Sequence, residues 1–306
     1  MSTLKQRFLL VSDMHYTVDE PTKEWKATYP QAKASAAAVH AFGKTQRQKI
    51  EKIYEDIMAE HTHLPLDAVL ILGDLSIDDY DYRNLPINYC KLFKEELMDR
   101  LPCASYAIPG NHDSWPNEIW KEMMGQDRRY SVEIGDSAFI MEDSFANVPA
   151  LPNDPASGAG FTPMDADFLR SCLQKHKGKH IFLCAHHIHA AKNSFSEECR
   201  QLLRESEDLI WLFRGHTHVA AVYEGREGAG GKTLIDIGGY GYEGVQIDKR
   251  WDFNVFDEKW AWGYQILEIY DDKICTYHVR TANEYRATNG NFSVDTCVEH
   301  LLEHRL

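Results

Sequence analysis

The sequence predicts an α/β fold. Apolar runs of strand length alternate with stretches of helical spacing as far as His218. Five of those runs stop abruptly at side chains of metal-ligand type, which puts them outside the carboxyl ends of the strands, where open α/β sheets carry their sites. Beyond His218 the pattern changes to strands alone.

Taken in order, Phe8 to Val11 is a strand running into Ser12, Asp13, Met14 and His15. The polar segment from Tyr16 to Gly43 holds a small-residue stretch, Ala34 to Ala38, and reads as a candidate lid or insertion loop (16–43). Ile50, Ile53, Tyr54, Ile57 and Met58 follow helical spacing within a helix expected over Lys44 to Glu60. Asp67 to Leu72 is the second strand and ends at Gly73 and Asp74, and Leu85 to Leu101 reads as the second helix. Cys103 to Ile108 is a strand that Pro109 and Gly110 turn, with a short helix near Pro116 to Met124. Arg129 to Ile134 and Ala138 to Met141 flank Gly135-Asp136, a hairpin signal. A loop from Val148 to Pro163 leads to a helix over Asp165 to His176. Ile181 to Ala185 delivers His186 and His187, and Leu209 to Phe213 delivers Arg214, Gly215, His216, Thr217 and His218, with a helix over Glu197 to Glu205 between them. The strands Val219 to Glu224, Thr233 to Ile237, Gly263 to Tyr270 and Lys273 to Arg280 read mostly as a second sheet (219–280), and Val294 to His304 as a closing helix. No linker or repeat divides the chain, so residues 1–306 are expected to form one domain.

The net charge of −14 and the lack of a basic run argue against extended nucleic acid as a partner. Seven scattered cysteines without Cys-x-x-Cys spacing read as reduced residues, and the short apolar run after Lys5 and Arg7 reads as neither a signal peptide nor a membrane span. A cytoplasmic location away from any membrane is the expectation, and nothing in the sequence indicates an oligomeric state.

The turn Gly110, Asn111, His112, Asp113 offers an amide oxygen able to ligate a hard cation, an imidazole able to hold or give a proton, and a carboxylate able to orient that imidazole. Four residues of types common in turns say little alone, but the arrangement recurs. Asp-x-His (Asp13, His15), Gly-Asp (Asp74), Gly-Asn-His-Asp, a His pair after a strand (His186, His187) and Gly-His-x-His (His216, His218), in this order, resemble the calcineurin-like metallophosphoesterase superfamily. The resemblance implies a four-layer α-β-β-α sandwich, two mixed sheets flanked by helices, with the metal site at the carboxyl ends of the strands. It implies two divalent or trivalent transition-metal ions, the first held by Asp13, His15, Asp74 and His218, the second by Asp74, Asn111, His186 and His216, with Asp74 as the bridge. Such a pair holds a phosphoryl group, polarises its oxygens and lowers the pKa of a shared water that attacks phosphorus in line. A ligand set without thiolate suits Mn, Fe, Zn, Ni or Co and does not choose among them. The family uses the residue at His112 to stabilise or protonate the leaving oxygen, and Asp113 would hold one nitrogen of that ring, cap the helix after Pro116, or both.

Tyr16, Trp115, Arg214 and Tyr240 are the candidate substrate contacts, with His189 and Tyr242 also near the expected mouth. Arg214 either clamps a phosphate oxygen or pairs with an acid, and His187 and His189 either face substrate or pack structurally, whereas His176 reads as a surface residue. The Asp-x-His opening and the chain length look similar to class III cyclic nucleotide phosphodiesterases and related small-molecule phosphodiesterases. The expected substrate is therefore a small-molecule phosphodiester such as a cyclic nucleotide, with a small phosphomonoester as the alternative. Gly73 to Asp79 lacks the Arg-Gly of the phosphoprotein phosphatase branch, and Ile77 stands where purple acid phosphatases carry an iron-ligating tyrosine. A third reading is a binding scaffold of the same fold that has lost chemistry; such a protein would lack ligands or the catalytic histidine, and here all are present.

Overall fold

The computed structural model describes residues 2–16, 46–76, 88–113, 115–145, 163–188, 195–218, 220–240, 263–280 and 297–306. The expected helical stretch Ala34 to Ala38, most of the candidate lid, and Ile77, His189 and Tyr242 lie outside them.

Alternation along the strands builds the layers. In β1 (Leu4–Val11), Leu9 and Val11 face one way and Phe8 and Leu10 the other. The first pair, with Val69 and Ile71 of β2 (Ala68–Leu72), packs beneath the apolar stripe Ile50, Ile53 and Ile57 of α1 (Gln46–His63). The same core takes in Phe93 of α2 (Tyr89–Glu96) and, past β3 (Ala104–Ile108), Trp120 of α3 (Asn117–Met124). Phe8, Leu10, Leu70 and Leu72 instead meet Phe139 and Met141 across the gap between sheets. Those two belong to β5 (Ser137–Glu142), which forms the expected hairpin with β4 (Tyr130–Ile134) through Gly135 at φ 55°.

The second sheet continues through β6 (His180–Ala185) and β7 (Leu209–Arg214). Phe182 and Phe213 face the inter-sheet core, while Leu183 and Leu212 face α4 (Ala166–Lys175) and α5 (Glu197–Glu205). Asp165 caps α4 by accepting the Asp167 and Phe168 N–H groups. Among the described residues the result is four layers, helices outside and two six-stranded mixed sheets inside.

The strands after His218 do not form a sheet of their own. β8 (Ala220–Tyr223) and β9 (Thr233–Ile237) finish the second sheet, in the order β4-β5-β6-β7-β9-β8. β10 (Gly263–Tyr270) and β11 (Lys273–Arg280) instead join the first, where β10 lies antiparallel to β1. Strand content was readable, but pairing depends on which edge is open. The expected closing helix over Val294 to His304 is likewise a strand, β12 (Cys297–Arg305), antiparallel to β11. The open edge of β11 offers a ladder of hydrogen bonds, which overrides helical spacing. Leu301 and Leu302 accordingly face opposite ways, Leu301 59% exposed and Leu302 packed on the inter-sheet core. The helix expected over Leu85 to Leu101 is shorter, ending at Glu96 before a 3₁₀ turn, Met98–Arg100. His176, expected at the surface, is buried, with Nδ1 2.8 Å from Glu133 Oε1 and Nε2 2.8 Å from Ser131 Oγ. Among the described residues no helix is long and apolar enough to cross a membrane.

Candidate metal centre

β1, β2 and β3 run parallel in the first sheet, and β5, β6, β7 and β9 in the second, so their carboxyl ends open on one side. Past the last strand residues the chain stays tightly tied. Asp13 N donates to Gly73 O, His15 N to Asp74 O and Gly215 N to His186 O. Among the described residues, the non-glycine positions with left-handed φ are Asp13 (57°), His15 (47°), Asp74 (52°), His216 (68°) and His218 (55°). All five are residues that the sequence marked as ligands. Such conformations cost energy and persist where packing over-determines them, characteristically at functional sites.

Among the described residues the side chains converge in two groups, which a third, His15 with Asp74 and His112, joins. In one, Asp13 Oδ1 lies 3.1 Å from His218 Nε2 and 3.8 Å from His15 Nε2, which are themselves 3.4 Å apart. In the other, His186 Nε2 lies 3.1 Å from Asp74 Oδ2 and 3.2 Å from Asn111 Oδ1, and Asn111 Oδ1 lies 2.9 Å from His216 Nδ1. Asp74 Oδ2 is also 3.7 Å from His15 Nε2, so it stands at the seam between the groups. His112, half-buried, stacks edge-on against His15 with centroids 5.1 Å apart.

Each carboxylate has one oxygen held by the protein and presents the other. Asp13 Oδ2 accepts from Ser12 Oγ at 2.5 Å and His216 N at 3.0 Å, whereas its Oδ1 is buried and receives no hydrogen bond from a described residue. Asp74 Oδ1 accepts from His112 N at 2.9 Å. His186 Nδ1 faces the Leu72 carbonyl at 2.6 Å, which leaves Nε2 aimed at Asp74.

The donor set fits transition-metal ions. Ligand atoms about 2.1 Å from a common ion lie about 3 to 3.5 Å from one another, and the distances here run from 2.9 to 3.8 Å. Burial holds His15 and His216 well below the ordinary histidine range, so their rings are neutral, the form that ligates. Burial opposes the Asp74 anion, but His186 and His112 outweigh it and hold the carboxyl well below its usual range. Burial also opposes charge on His186, yet Asp74 and Asp13 push it up to about 9. Asp74 thus demands a positive partner, a role open to a proton on His186 or a cation at Nε2.

The residues expected to contact substrate are placed elsewhere. Tyr16 is buried, its hydroxyl 2.7 Å from Glu96 Oε2, and Trp115 is buried in the core beneath α1 to α3. Tyr240 is fully buried, stacked on Tyr264 with its hydroxyl on Asp56. Arg214 is fully buried and gripped by Asp236, so the acid-pairing reading replaces the phosphate clamp. In each case an aromatic or guanidinium group near the strand ends found a core partner. Asp113 also differs from expectation. Its carboxylate accepts from the backbone N–H groups of Leu75, Ser76 and Gly110, each at 3.0 Å, and from Ser76 Oγ at 3.3 Å. Those four donors fill its acceptor sites, so it ties the Asp74 loop to the Asn111 loop rather than orienting His112. Pro116, not Asp113, stands at the N-cap of α3. Burial and the nearby Asp74 charge push the Asp113 carboxyl up to about 6 against the pull of its backbone donors.

Sequence reasoning missed three supports. Ser12 was legible only as the neighbour of Asp13. Lys49, a charge on the apolar stripe of α1, is buried and donates to the His15 carbonyl at 2.8 Å. Phe145 lies against His186 and His216, with centroids 5.9 and 6.4 Å away.

No curated protein sequence matches the chain. Its structure is similar to that of a dimetal phosphatase from Danio rerio, at TM-score 0.59 and 11% identity, over 89% of this chain and 95% of that one. It is also similar to the structure of PhoD, at TM-score 0.56 and 10% identity, over 100% of this chain and 70% of that one. At such identities these likenesses speak for the fold. Residues 6–220, a span that includes every candidate ligand from Asp13 to His218, match the calcineurin-like phosphoesterase family, and the chain belongs to that family.

Proposed function

We propose that Asp13, His15, Asp74 and His218 hold one metal ion, that Asp74, Asn111, His186 and His216 hold a second, and that the chain hydrolyses a small-molecule phosphodiester such as a cyclic nucleotide. The observation that carries this reading is the pair of donor groups, Asp13 with His15 and His218 and Asp74 with His186 and His216, with Asp74 Oδ2 3.7 Å from His15 Nε2 at the seam between them. Bound there, two such ions would supply positive charge against the phosphoryl oxygens and would lower the pKa of a water.

The chain's own residues do the rest. The backbone N–H of His112 fixes Asp74 Oδ1, and its half-exposed ring beside His15 gives a proton to the leaving oxygen. Asp113 holds the two loops that carry Asp74 and Asn111 at a constant separation. The net charge of −14 disfavours extended nucleic acid, and Cys90, Cys103, Cys172, Cys184, Cys199 and Cys275, all free thiols, suit a cytoplasmic location. The ligand set does not choose among Mn, Fe, Zn, Ni and Co.

The test is hydrolysis of bis(p-nitrophenyl) phosphate beside p-nitrophenyl phosphate by metal-stripped protein given back Mn, Zn, Fe(II) or Ni. Restored diester cleavage is expected. Preference for the monoester would redirect the reading to a phosphomonoesterase. Two bound metals with no cleavage of these or of natural phosphoesters would favour the scaffold.

A further inference from the structure

Arg214 ends β7 and lies opposite Asp236 of β9 in the strand register. Its guanidinium grips that carboxylate through Nε and Nη2, the latter at 2.9 Å, while Nη1 donates to the Ile188 carbonyl. Asp236 Oδ2 accepts in addition from Thr217 Oγ1 at 3.1 Å, and Asp236 bonds the Tyr223 hydroxyl as well. Both charged side chains are buried, Arg214 completely.

The partners are placed so that one ion pair reaches both histidine loops. Ile188 is two residues past His186, and Thr217 stands between His216 and His218. A buried pair of this kind adds little net stability, because desolvation offsets the attraction. What it does supply is distance. A planar guanidinium with a fixed fork spans the Asp236 carboxylate and the Ile188 carbonyl at once, which an ammonium cannot do.

We infer that Arg214, with Asp236 and Thr217, is a positioning unit that sets the His186 loop against the His216 loop and thereby governs retention of the second metal ion. The inference rests on the dinuclear reading above. His186 and His216 are two of the four proposed ligands of the second ion, whereas only His218 among the first ion's ligands lies on either braced loop. Loosening the brace therefore acts mainly on the second ion.

The experiment uses full-length protein loaded with Mn(II) and dialysed, comparing wild type, Arg214→Lys and Thr217→Val by metal content, electron paramagnetic resonance and thermal melting. Wild type is expected to hold two Mn per chain with an exchange-coupled spectrum. Each variant should melt as a folded protein yet bind the second Mn about 10- to 100-fold more weakly, with the isolated six-line signal of a single ion. Thr217→Val removes only the hydroxyl's hydrogen bond to the Asp236 carboxylate and leaves the ion pair in place, and it decides the matter should Arg214→Lys not fold. Folded variants that retain two coupled Mn with wild-type affinity would overturn the inference alone. A wild-type chain that never binds a second Mn would overturn the dinuclear reading and this inference with it.

Discussion

Lys49 Nζ lies 2.8 Å from the carbonyl of His15, buried beneath the loop that carries two candidate ligands. The contact joins α1 to the end of β1 at a residue whose φ of 47° is costly to hold. Lys49→Met keeps the aliphatic stem and loses this bond. Hydrogen bonds to charged groups contribute about 1.5–3 kcal/mol, and a loss of that order is expected in urea unfolding. An unchanged midpoint would show the bond to be dispensable.

Asp74→Asn removes the charge at the seam of the two donor groups, and His112→Ala removes the proposed proton donor. The second change should cost about 10²- to 10⁴-fold in turnover and the first at least as much. Steady-state kinetics on restored enzyme checks both, and near wild-type rates for either would sink the assigned role.

Gly110→Ala would drive a Cβ into the Asp74 backbone and carboxylate. Backbone cannot yield as a flexible side-chain tip can, so Asp74 must move. Overpacking of this kind costs about 1–3 kcal/mol, and here weaker metal retention should accompany it. Metal content after dialysis, set beside the melting temperature, separates the two effects.

Much of this was legible in the sequence, and the limits have physical causes. A strand that ends in Asp-x-His or Gly-His-x-His announces its ligands because the chemistry needs those side chains at those spacings. The two-faced alternation of Phe8, Leu9, Leu10 and Val11 likewise announces a sheet covered on both sides. Tyr16, Trp115, Arg214 and Tyr240 could not be placed the same way, since the same residues serve a mouth or a core depending on partners far along the chain, such as Asp236 for Arg214 and Asp56 for Tyr240. β12 was misread for a related reason. Its apolar residues fit a helical stripe until the edge of β11 is known to be open.

Glu142 closes β5 with its carboxylate buried and 2.7 Å from Arg129 Nη2. Burial outweighs that neighbour and pushes the carboxyl from 4.5 up to about 8. With the folded-state value above the unfolded one, the native chain holds the extra proton between them, so stability contributed by this group falls as pH rises from about 4.5 to about 8. Glu142→Gln should flatten that fall and raise the urea midpoint at the alkaline end. A pH profile identical to wild type would remove Glu142 as its source.

Chelation should destabilise the protein, because the ions proposed to be held by seven residues, five of them left-handed, bind the native chain alone. An ion present at 100 times its dissociation constant contributes about 2.7 kcal/mol. Melts with and without chelator measure the difference, and coincident curves would argue against tight binding.

The position of β1 between β2 and β10 has a consequence for the order in which the molecule assembles. Every candidate ligand lies between Asp13 and His218, yet Phe8 pairs with Leu267, so one flank of the strand leading to Asp13 and His15 is synthesised after all of them. Contacts so distant along the chain form slowly. On the ribosome the donors therefore emerge before β10, which covers one flank of β1. However early its residues are made, the strand leading to Asp13 and His15 gains its second flank only once β10 has emerged.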